Sequence, residues 1–471
     1  MQFIFFHITK NTTFVRIYVR KMKRVLIISY YWPPSGGSGV QRWVKFAKFL
    51  PEYGWKPVIY TPENPDLTIY DYSLMEEVSE EAEIVRRRIF EPYGVLRALS
   101  GGRKSPVEKR SNAPDAVVTP INSQKKSFLQ NMVLWIRGNL FIPDPRCFWI
   151  LPSAVFLKKY LREHPVDVIV STGPPHSMHL IARRVALATG IPWVADFRDP
   201  WTKMFYFKHL KLTALSRRIH RRLEKKVLDD ATVIVSVTPR VQEEFRSMTS
   251  TPVELITNGY DEADFANALE VLGVSEQEFG SGNDSRFTIV HTGVFASDGN
   301  PETLWKVLAK IAGDCPEFRE KLQIRLVGKT DIQIVESIEA AGLGRNTENL
   351  GYVSHETAVL EQCKASVLIL PLRKEPEYKS VLPGKLFEYL ASRRPVIGIG
   401  DPDSVMAKFV EDAKAGRTYD WEDAAGLENE IRRCWALFRE GKLPDSKEDI
   451  EKYSRRRLCR TMAGLFDSLK K

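Results

Sequence analysis

Short apolar runs alternate with longer amphipathic stretches from residue 24 onward. The run "RVLIIS" (24–29) is continuously apolar, which is typical of a strand that is buried on both faces. A glycine-rich turn and "VQRWVKFAKFL" follow it, and the apolar residues of this second stretch recur on one helical face. The next strand is predicted at "KPVIYT" (56–61). A strand, a helix and a strand within about 35 residues form a βαβ unit, so we predict a parallel sheet.

The same alternation continues through both halves of the chain and predicts two α/β domains. In the first half we expect helices at 176–190 and 211–229, and strands at 166–172, 192–197 and 231–237. In the second half we expect strands at 287–295, 322–328, 348–354, 366–372 and 395–400. No repeat of fixed period occurs, which argues against a solenoid.

The periodicity also predicts where the domains begin and end. We expect an N-terminal domain over 22–265, a linker over 266–286, a C-terminal domain over 287–450 and a last amphipathic helix over 451–471. Residues 1–21 are expected to be either an extension outside the core or an incorrectly assigned start, because "MKRVLIISYYW" from Met22 reads like a natural one.

The region 62–150 interrupts the alternation. Its polar, basic stretch at 100–127 predicts a mobile segment. The apolar, aromatic segment at 133–150 is broken by prolines, and two interpretations stay open for it. It belongs either to the core or to a surface that meets lipid or a lipid-linked ligand.

Composition and charge narrow the class of protein. The 471 residues are 43% hydrophobic, which is enough for two packed cores, and the formal net charge is +10. The basic clusters are scattered over 20–24, 86–88, 217–226 and 455–457. Such scatter suits a surface that faces phosphate or an anionic membrane better than a single nucleic-acid groove. The alternative is a basic surface with no particular partner.

The five cysteines form no CxxC pair or zinc-type cluster and are expected to be reduced thiols. No stretch approaches 18 consecutive apolar residues, so a membrane-spanning helix is not predicted. We therefore expect a cytoplasmic protein, with peripheral attachment to the inner face of the membrane as a hypothesis.

Three loops carry candidate chemistry. The first holds Gly36, Gly37 and Gly39 between the first strand and its helix. Glycine lets the backbone approach a ligand closely, and a helix N-terminus offers free N–H groups to an anion. The spacing matches neither GxGxxG nor a P-loop, so the alternative of a plain tight turn stays open.

The second loop follows the predicted strand in "PWVADFRDPW" (192–201). Asp196, Arg198 and Asp199 lie where this strand ends, and the carboxyl ends of parallel strands are where open α/β sheets bind ligands. The guanidinium of Arg198 suits a phosphate, and we assign Arg198 and Asp199 to catalysis. The alternative is an ion pair that only stabilises the loop.

The third loop is "SVLPGKLFEYLASRRPVIGIG" (380–400), in which a Pro-Gly turn enters a short helix. Lys385 and Glu388 are three residues apart and share a face of that helix. Lys385 suits an anion, and Glu388 suits the two hydroxyls of a ribose. A weak surface ion pair is the alternative. The "DPD" at 401–403 is explained as a turn, and we predict neither a metal site nor a cofactor.

Several stretches together resemble the retaining GT-B glycosyltransferases of family 4, from about residue 24 to 471 apart from 62–150. They are "YYWPPSGGSGV", "GIPWVADFRDPW", "VELITNGYDEADF", "IVHTGVF", "IRLVG", "LGYVSHE" and "LPGKLFEYLASRRPVIGIG". The resemblance implies two Rossmann-like parallel-sheet domains that face each other across a cleft, with the last helix crossing back to the first domain.

The resemblance also implies roles for residues in these stretches. The three glycines would lie near the acceptor and the donor phosphates, Lys385 near the diphosphate and Glu388 on the ribose. Asn258 and Gly293 would contact substrate. Retaining members of this kind need no metal, because helix N-termini and basic side chains neutralise the leaving diphosphate.

The sequence departs from the family pattern at three places. Ser380 replaces the usual second glutamate, for which Glu375 or Glu377 is a candidate substitute. The usual basic residues after the first C-terminal strand are absent, so Lys385, Lys329 or Arg373 would neutralise phosphate. Arg198 stands where the family often has histidine.

The function predicted from these observations is metal-independent transfer, with retention, of a sugar from a nucleotide diphosphate sugar. The acceptor would be a polysaccharide or a lipid-linked saccharide, an anionic membrane surface is a hypothetical further partner, and no nucleic acid is expected. Two alternatives stay open: a non-catalytic nucleotide-sugar-binding protein with a decayed site, and a GT-B-type sugar-nucleotide epimerase.

Overall fold

The computed structural model describes residues 22–67, 70–90, 128–204, 207, 210–275, 285–443 and 450–469. The predicted extension at 1–21 and the basic stretch at 100–127 lie outside the described residues.

The first domain is built on a parallel sheet of seven strands in the order β3-β2-β1-β4-β5-β6-β7. The strands are β1 Lys23–Ile28, β2 Trp55–Pro62, β3 Glu83–Arg87, β4 Val168–Gly173, β5 Trp193–Phe197, β6 Val233–Ser236 and β7 Val253–Leu255. The central strand β1 pairs with β2 on one side and β4 on the other. Val25, Leu26, Ile27 and Ile28 are fully buried, so both faces of the strand are covered, and this explains its continuous apolar run.

In the described part of this domain, six α-helices accompany the sheet: α1 Ser38–Phe49, α2 Phe128–Asn139, α3 Ile150–Glu163, α4 Ser177–Thr189, α5 Ala214–Asp230 and α6 Pro239–Met248. The side chain of Thr213 caps α5 by accepting from Ser216 N, and Thr238 caps α6 by accepting from Val241 N.

The region 62–150, where the sequence pattern was irregular, has regular secondary structure in part, since it contains β3 and α2.

The second domain has a six-stranded parallel sheet in the order β10-β9-β8-β11-β12-β13. Its strands are β8 Phe287–Thr292, β9 Leu322–Val327, β10 Thr347–Gly351, β11 Val367–Pro371, β12 Val396–Ile399 and β13 Gly416–Tyr419. The remaining helices are α7 Glu262–Leu272, α8 Glu302–Asp314, α9 Pro316–Lys321, α10 Ile332–Ala340, α11 His355–Lys364, α12 Gly384–Ala391, α13 Val405–Asp412, α14 Ala424–Arg439 and α15 Arg455–Ser468.

A helix occupies the start of the predicted linker. Residues 266–272 belong to α7, which packs on α11 of the second domain, and residues 276–284 lie outside the described part of the chain. The reason is an apolar stripe at helical spacing, with Phe265 and Ala268 buried and Leu269 and Leu272 packed beside them. The exact boundary between the domains stays a prediction.

The last helix crosses back to the first domain, as predicted. Five apolar residues of α15 are buried in the same core as β1 and β2: Leu458, Cys459, Met462, Ala463 and Phe466. The ring of Phe466 lies 5.2 Å from that of Trp55, edge to face. The side chain of Ser454 caps α15 by accepting from Arg457 N. The predicted fold class is therefore confirmed: two Rossmann-like domains, a cleft and a returning helix.

None of the helices that the structure describes is long and apolar enough to cross a membrane.

Candidate functional site

A cavity of about 1010 Å³ lies between the two domains. The first domain contributes the loop before α1 and the segment after β5, and the second contributes the end of β8 and the N-terminal part of α12. All nine residues that the sequence analysis assigned to catalysis or substrate contact line this cavity: Gly36, Gly37, Gly39, Arg198, Asp199, Asn258, Gly293, Lys385 and Glu388. Their individual roles stay predictions.

The glycine loop is fixed by Arg198. The guanidinium donates from Nη1 to the carbonyl of Gly39 at 2.7 Å and from Nη2 to the carbonyl of Pro174. A Cβ atom at position 39 would lie 2.6 Å from Arg198 Nη1, so only glycine leaves room for this contact. Gly37 has a φ of +93° and precedes α1, whose N-terminus receives no side-chain cap from the residues that the structure describes. Val40 N already donates to the carbonyl of Gly37 at 3.2 Å, so the N–H groups of α1 that precede Val40 are the ones left for a ligand at the cavity wall.

Asp199 and Asp196 have different environments although both flank Arg198. Burial raises the pKa of Asp199, and the charge of Arg198 opposes this rise. Asp196 is fully buried and accepts from Arg42 Nη2 at 2.9 Å and from Trp43 Nε1 at 2.8 Å. Asp196 therefore holds α1 to the sheet edge, whereas Asp199 lines the cavity.

Arg42 also positions Asn258. Its Nη1 donates to the carbonyl of Thr257 at 2.7 Å and lies 3.5 Å from Oδ1 of Asn258, while Nη2 donates to the carbonyl of Ile256 at 2.8 Å. The segment after β7 is consequently tied to α1 by a buried cation, and Asn258 is presented to the cavity.

On the opposite wall, Lys385 lies against the end of β8. Its Nζ is 2.7 Å from His291 Nε2 and donates to the carbonyl of Thr292 at 2.9 Å. Burial lowers the pKa of Lys385 to about 7, with Glu388 opposing the shift. Burial and the neighbouring lysine hold the pKa of His291 well below its usual range, so the imidazole is neutral. Gly293 has a φ of +89° and lies beside this lysine.

Glu388 lies one turn further along α12. One of its oxygens accepts from Gln362 Nε2 at 2.9 Å. The side chain of Glu388 also lies in the electrostatic field of two cations, His355 and Arg455. A carboxyl group has two oxygens, each with more than one lone pair, so Glu388 keeps acceptor capacity for ligand hydroxyls beside its bond from Gln362.

Sequence reasoning missed both of these cations. His355 begins α11, and although burial lowers its pKa, a hydrogen bond with Asp264 at 3.0 Å and the charge of Glu388 raise it to about 9. Arg455 begins α15 and is only 6% exposed. Burial, with Arg42 nearby, lowers its pKa to about 10, and among the described residues its Nη1 has no hydrogen-bond partner. Arg455 belongs to a cluster predicted to face phosphate or a membrane, and the structure brings it to the cavity.

The structure also distinguishes between Glu375 and Glu377, the two candidates for the role of the family glutamate that Ser380 replaces. Glu377 and Ser380 both line the cavity and belong to a 3₁₀ helix, Pro376–Ser380, in which side chains three residues apart eclipse each other. Glu375 does not line the cavity. Lys329 lies in the cavity wall with Lys385, whereas Arg373 pairs with Asp298 at 3.1 Å outside it.

Within the described residues, no group of three or more His, Cys, Asp or Glu side chains converges to hold a metal ion. In the "DPD" stretch, Asp401 accepts from the backbone N of Asp403 at 2.8 Å and pairs with Lys379. This geometry agrees with the interpretation of the stretch as a turn.

Two segments of the chain match known protein families. Residues 114–264 match Glycosyltransferase Family 4, and residues 286–436 match Glycosyl transferases group 1. A search of curated protein sequences returned no match.

Solved structures with a similar fold cover nearly the whole chain. Sucrose-phosphate synthase from Thermosynechococcus elongatus is 15% identical over 94% of this chain and 98% of its own, with a TM-score of 0.59. Anabaena HepE in complex with UDP is 13% identical over 95% and 100%, with a TM-score of 0.58. WaaG, a glycosyltransferase involved in lipopolysaccharide biosynthesis, is 12% identical over 94% and 100%, with a TM-score of 0.51. At these identities the likeness establishes the fold.

Proposed function

Because the chain is a family 4-like glycosyltransferase with the GT-B fold, we propose that it transfers a sugar from a nucleotide diphosphate sugar, with retention and without a metal ion. The acceptor is a polysaccharide or a lipid-linked saccharide. HepE has been solved with UDP and with UDP-glucose, which makes uridine nucleotides the first donors to try.

One observation carries the proposal. Lys385 and Glu388 lie on one face of α12, three residues apart, and line the same cavity as the glycine loop of the first domain. In this arrangement Glu388 would accept from the ribose hydroxyls, and Lys385 would lie at the diphosphate. The N-terminus of α1 and Arg198 would approach the same ligand from the other wall.

The proposed catalysis rests on charge stabilisation and positioning. As the bond to the sugar breaks, negative charge develops on the leaving diphosphate, and Lys385 and Lys329 would stabilise it. Arg455 adds a third cation, directed at the cavity by the returning helix. These cations support a metal-independent mechanism. Arg198 and Asp199 would orient the acceptor hydroxyl and the transferred sugar beside the glycine loop.

We assign the contact to the transferred sugar to Glu377. The eclipsed position of Glu377 and Ser380 in their 3₁₀ helix supports this, because the carboxylate then projects into the space that residue 380 also faces. Glu377→Gln would lower kcat with little change in the Kd of the nucleotide alone. A matching loss of nucleotide affinity would contradict this assignment.

Isothermal titration of UDP, GDP and their common sugar conjugates tests the donor site, on the wild-type protein and on Glu388→Ala. We expect one nucleotide to bind in the micromolar range, independently of EDTA, with about 10- to 100-fold weaker binding by the variant. No binding by any nucleotide would refute the proposal.

Product analysis then distinguishes transfer from the two alternatives. Sugar transfer to an added saccharide acceptor supports the proposal. Conversion of the sugar nucleotide in the absence of acceptor would identify an epimerase. Binding without any turnover would identify a non-catalytic nucleotide-sugar-binding protein.

A further inference from the structure

Exposed apolar side chains gather on one side of the first domain. In α2 and directly after it, Trp135 is 44% exposed and Leu140 is 62% exposed. At the start of α5, Leu215 is 68% exposed and Ile219 is 37% exposed. Large apolar side chains at such exposure, when they cluster, mark a surface that meets a partner.

The two helices are joined although they are distant in sequence. Asn139 Oδ1 accepts from Thr213 N at 2.8 Å, and its Nδ2 lies 3.3 Å from the carbonyl of Lys211. A Cβ atom at Gly138 would lie only 2.6 Å from the carbonyl of Leu210, so the two segments touch there. Leu140 and Leu215 therefore belong to one continuous surface.

The same surface is strongly basic. Arg217, Arg218, Arg221 and Arg222 are all exposed along α5. The acidic residues of this helix do not balance them, because Glu224 is buried, Asp229 pairs with Lys225 and Asp230 pairs with Arg183. Exposed apolar side chains that lie next to arginines on a helix favour contact with an anionic membrane interface.

This surface adjoins the cavity. Phe141, which follows Leu140 directly, lines the cavity, and so does Leu210, just before the start of α5. The inner side of the α2–α5 junction therefore forms part of the cavity wall, and its outer side carries the exposed residues.

We propose that the basic-apolar patch, formed by Trp135, Leu140, Leu215, Ile219, Arg218 and Arg222, docks onto an anionic lipid bilayer, from which the cavity receives a lipid-linked saccharide acceptor. The second clause rests on the proposed function. Charge complementarity favours an anionic bilayer over a second copy of the chain as the partner. In a symmetric contact between two copies, the arginines of one copy would repel the same arginines of the other. The apolar residues select it over nucleic acid, whose backbone offers them no partner.

Vesicle sedimentation tests the docking without donor or acceptor. The full chain is mixed at low salt with vesicles of phosphatidylcholine alone or of phosphatidylcholine with phosphatidylglycerol. The wild type is expected to bind only the anionic vesicles. Arg218→Glu with Arg222→Glu should weaken partition at least about 30-fold, and Leu215→Glu about tenfold.

Two control variants match these changes in the second domain. Lys306→Glu with Arg345→Glu changes the net charge equally at exposed positions, and Val271→Glu places a charge at a residue that is 72% exposed. Both should bind like the wild type. Wild-type protein that ignores anionic vesicles, or patch variants that bind as the controls do, would overturn the proposal. So would light scattering that shows a dimer dissociated by Leu215→Glu.

A transfer assay separates this failure from failure of the proposed function. With a water-soluble saccharide acceptor, Leu215→Glu should retain wild-type rates, whereas with an acceptor embedded in anionic vesicles its rate should fall about tenfold. Equal rates in both formats would overturn the docking and leave the transferase assignment intact.

Discussion

Lys385 makes donor binding depend on pH in a predictable direction. Burial lowers its pKa to about 7, so the free protein carries a neutral amine at this position above pH 7. A diphosphate that binds there favours the charged form and raises the pKa towards its ordinary value. Binding above pH 7 therefore requires proton uptake, and donor affinity should fall as the pH rises.

The size of the effect follows from the pKa of the free protein. At pH 8 about ten sites are neutral for each charged one, so the Kd should be about tenfold higher than at pH 6, or about 1.4 kcal/mol. Each binding event at pH 8 should take up about 0.9 proton. The two neighbouring histidines keep their charge state between pH 6 and pH 8. His291 stays neutral, and His355, with a pKa of about 9, stays largely protonated.

Isothermal titration in buffers of different ionisation enthalpy measures both quantities. The ligand is the nucleotide sugar that binds best, because its two phosphates do not titrate between pH 6 and pH 8. Lys385→Arg is the control variant, since arginine remains charged throughout and its Kd should vary less than about twofold. A wild-type Kd that does not change with pH, or a Kd of Lys385→Arg that changes with pH as steeply as that of the wild type, would refute the reasoning.

Three further substitutions test residues that stabilise the site or hold its parts in position. Asp196→Ala leaves Arg42 buried without its carboxylate, so the free energy of unfolding in urea should fall by about 3–5 kcal/mol; a loss below about 1 kcal/mol would contradict the role of the pair. Gly39→Ala displaces Arg198 from its carbonyl, so kcat should fall at least about tenfold while the far-UV circular dichroism spectrum stays that of the folded protein, and full activity would argue against the assignment. Ser454→Ala removes the cap of α15, which should cost about 1 kcal/mol in the same urea assay, and an unchanged midpoint would exclude that contribution.

The sequence predicted the central strands of both sheets but only some of the edge strands, among them β10 at 348–354. The continuous apolar run at 24–29 became β1, which has neighbours on both sides. β3, Glu83–Arg87, and β13, Gly416–Tyr419, were not predicted, and each lies at the edge of its sheet. Edge strands have partly exposed side chains, so their charged and polar residues hide the apolar pattern.

The residues of the candidate site also fall into two groups, those that could be predicted from the sequence and those that could not. Glycines and charged residues next to a strand end could be found, because a loop between neighbouring elements is a local feature. Arg455 and His355 could not be assigned, since their place beside Glu388 depends on contacts across the chain. The charge of Arg455 looked like part of a surface cluster, and only the return of α15 to the first domain buries it.

The position of α15 in the core of the first domain also determines when that domain can finish folding during translation. The core of the first domain includes Leu458, Cys459, Met462 and Phe466, which the ribosome adds after the entire second domain. The first domain therefore emerges with an apolar groove that stays open until α15 has left the ribosome. Shortened products of translation expose this groove, and a C-terminal truncation at about residue 450 should be a substrate for chaperones and proteases.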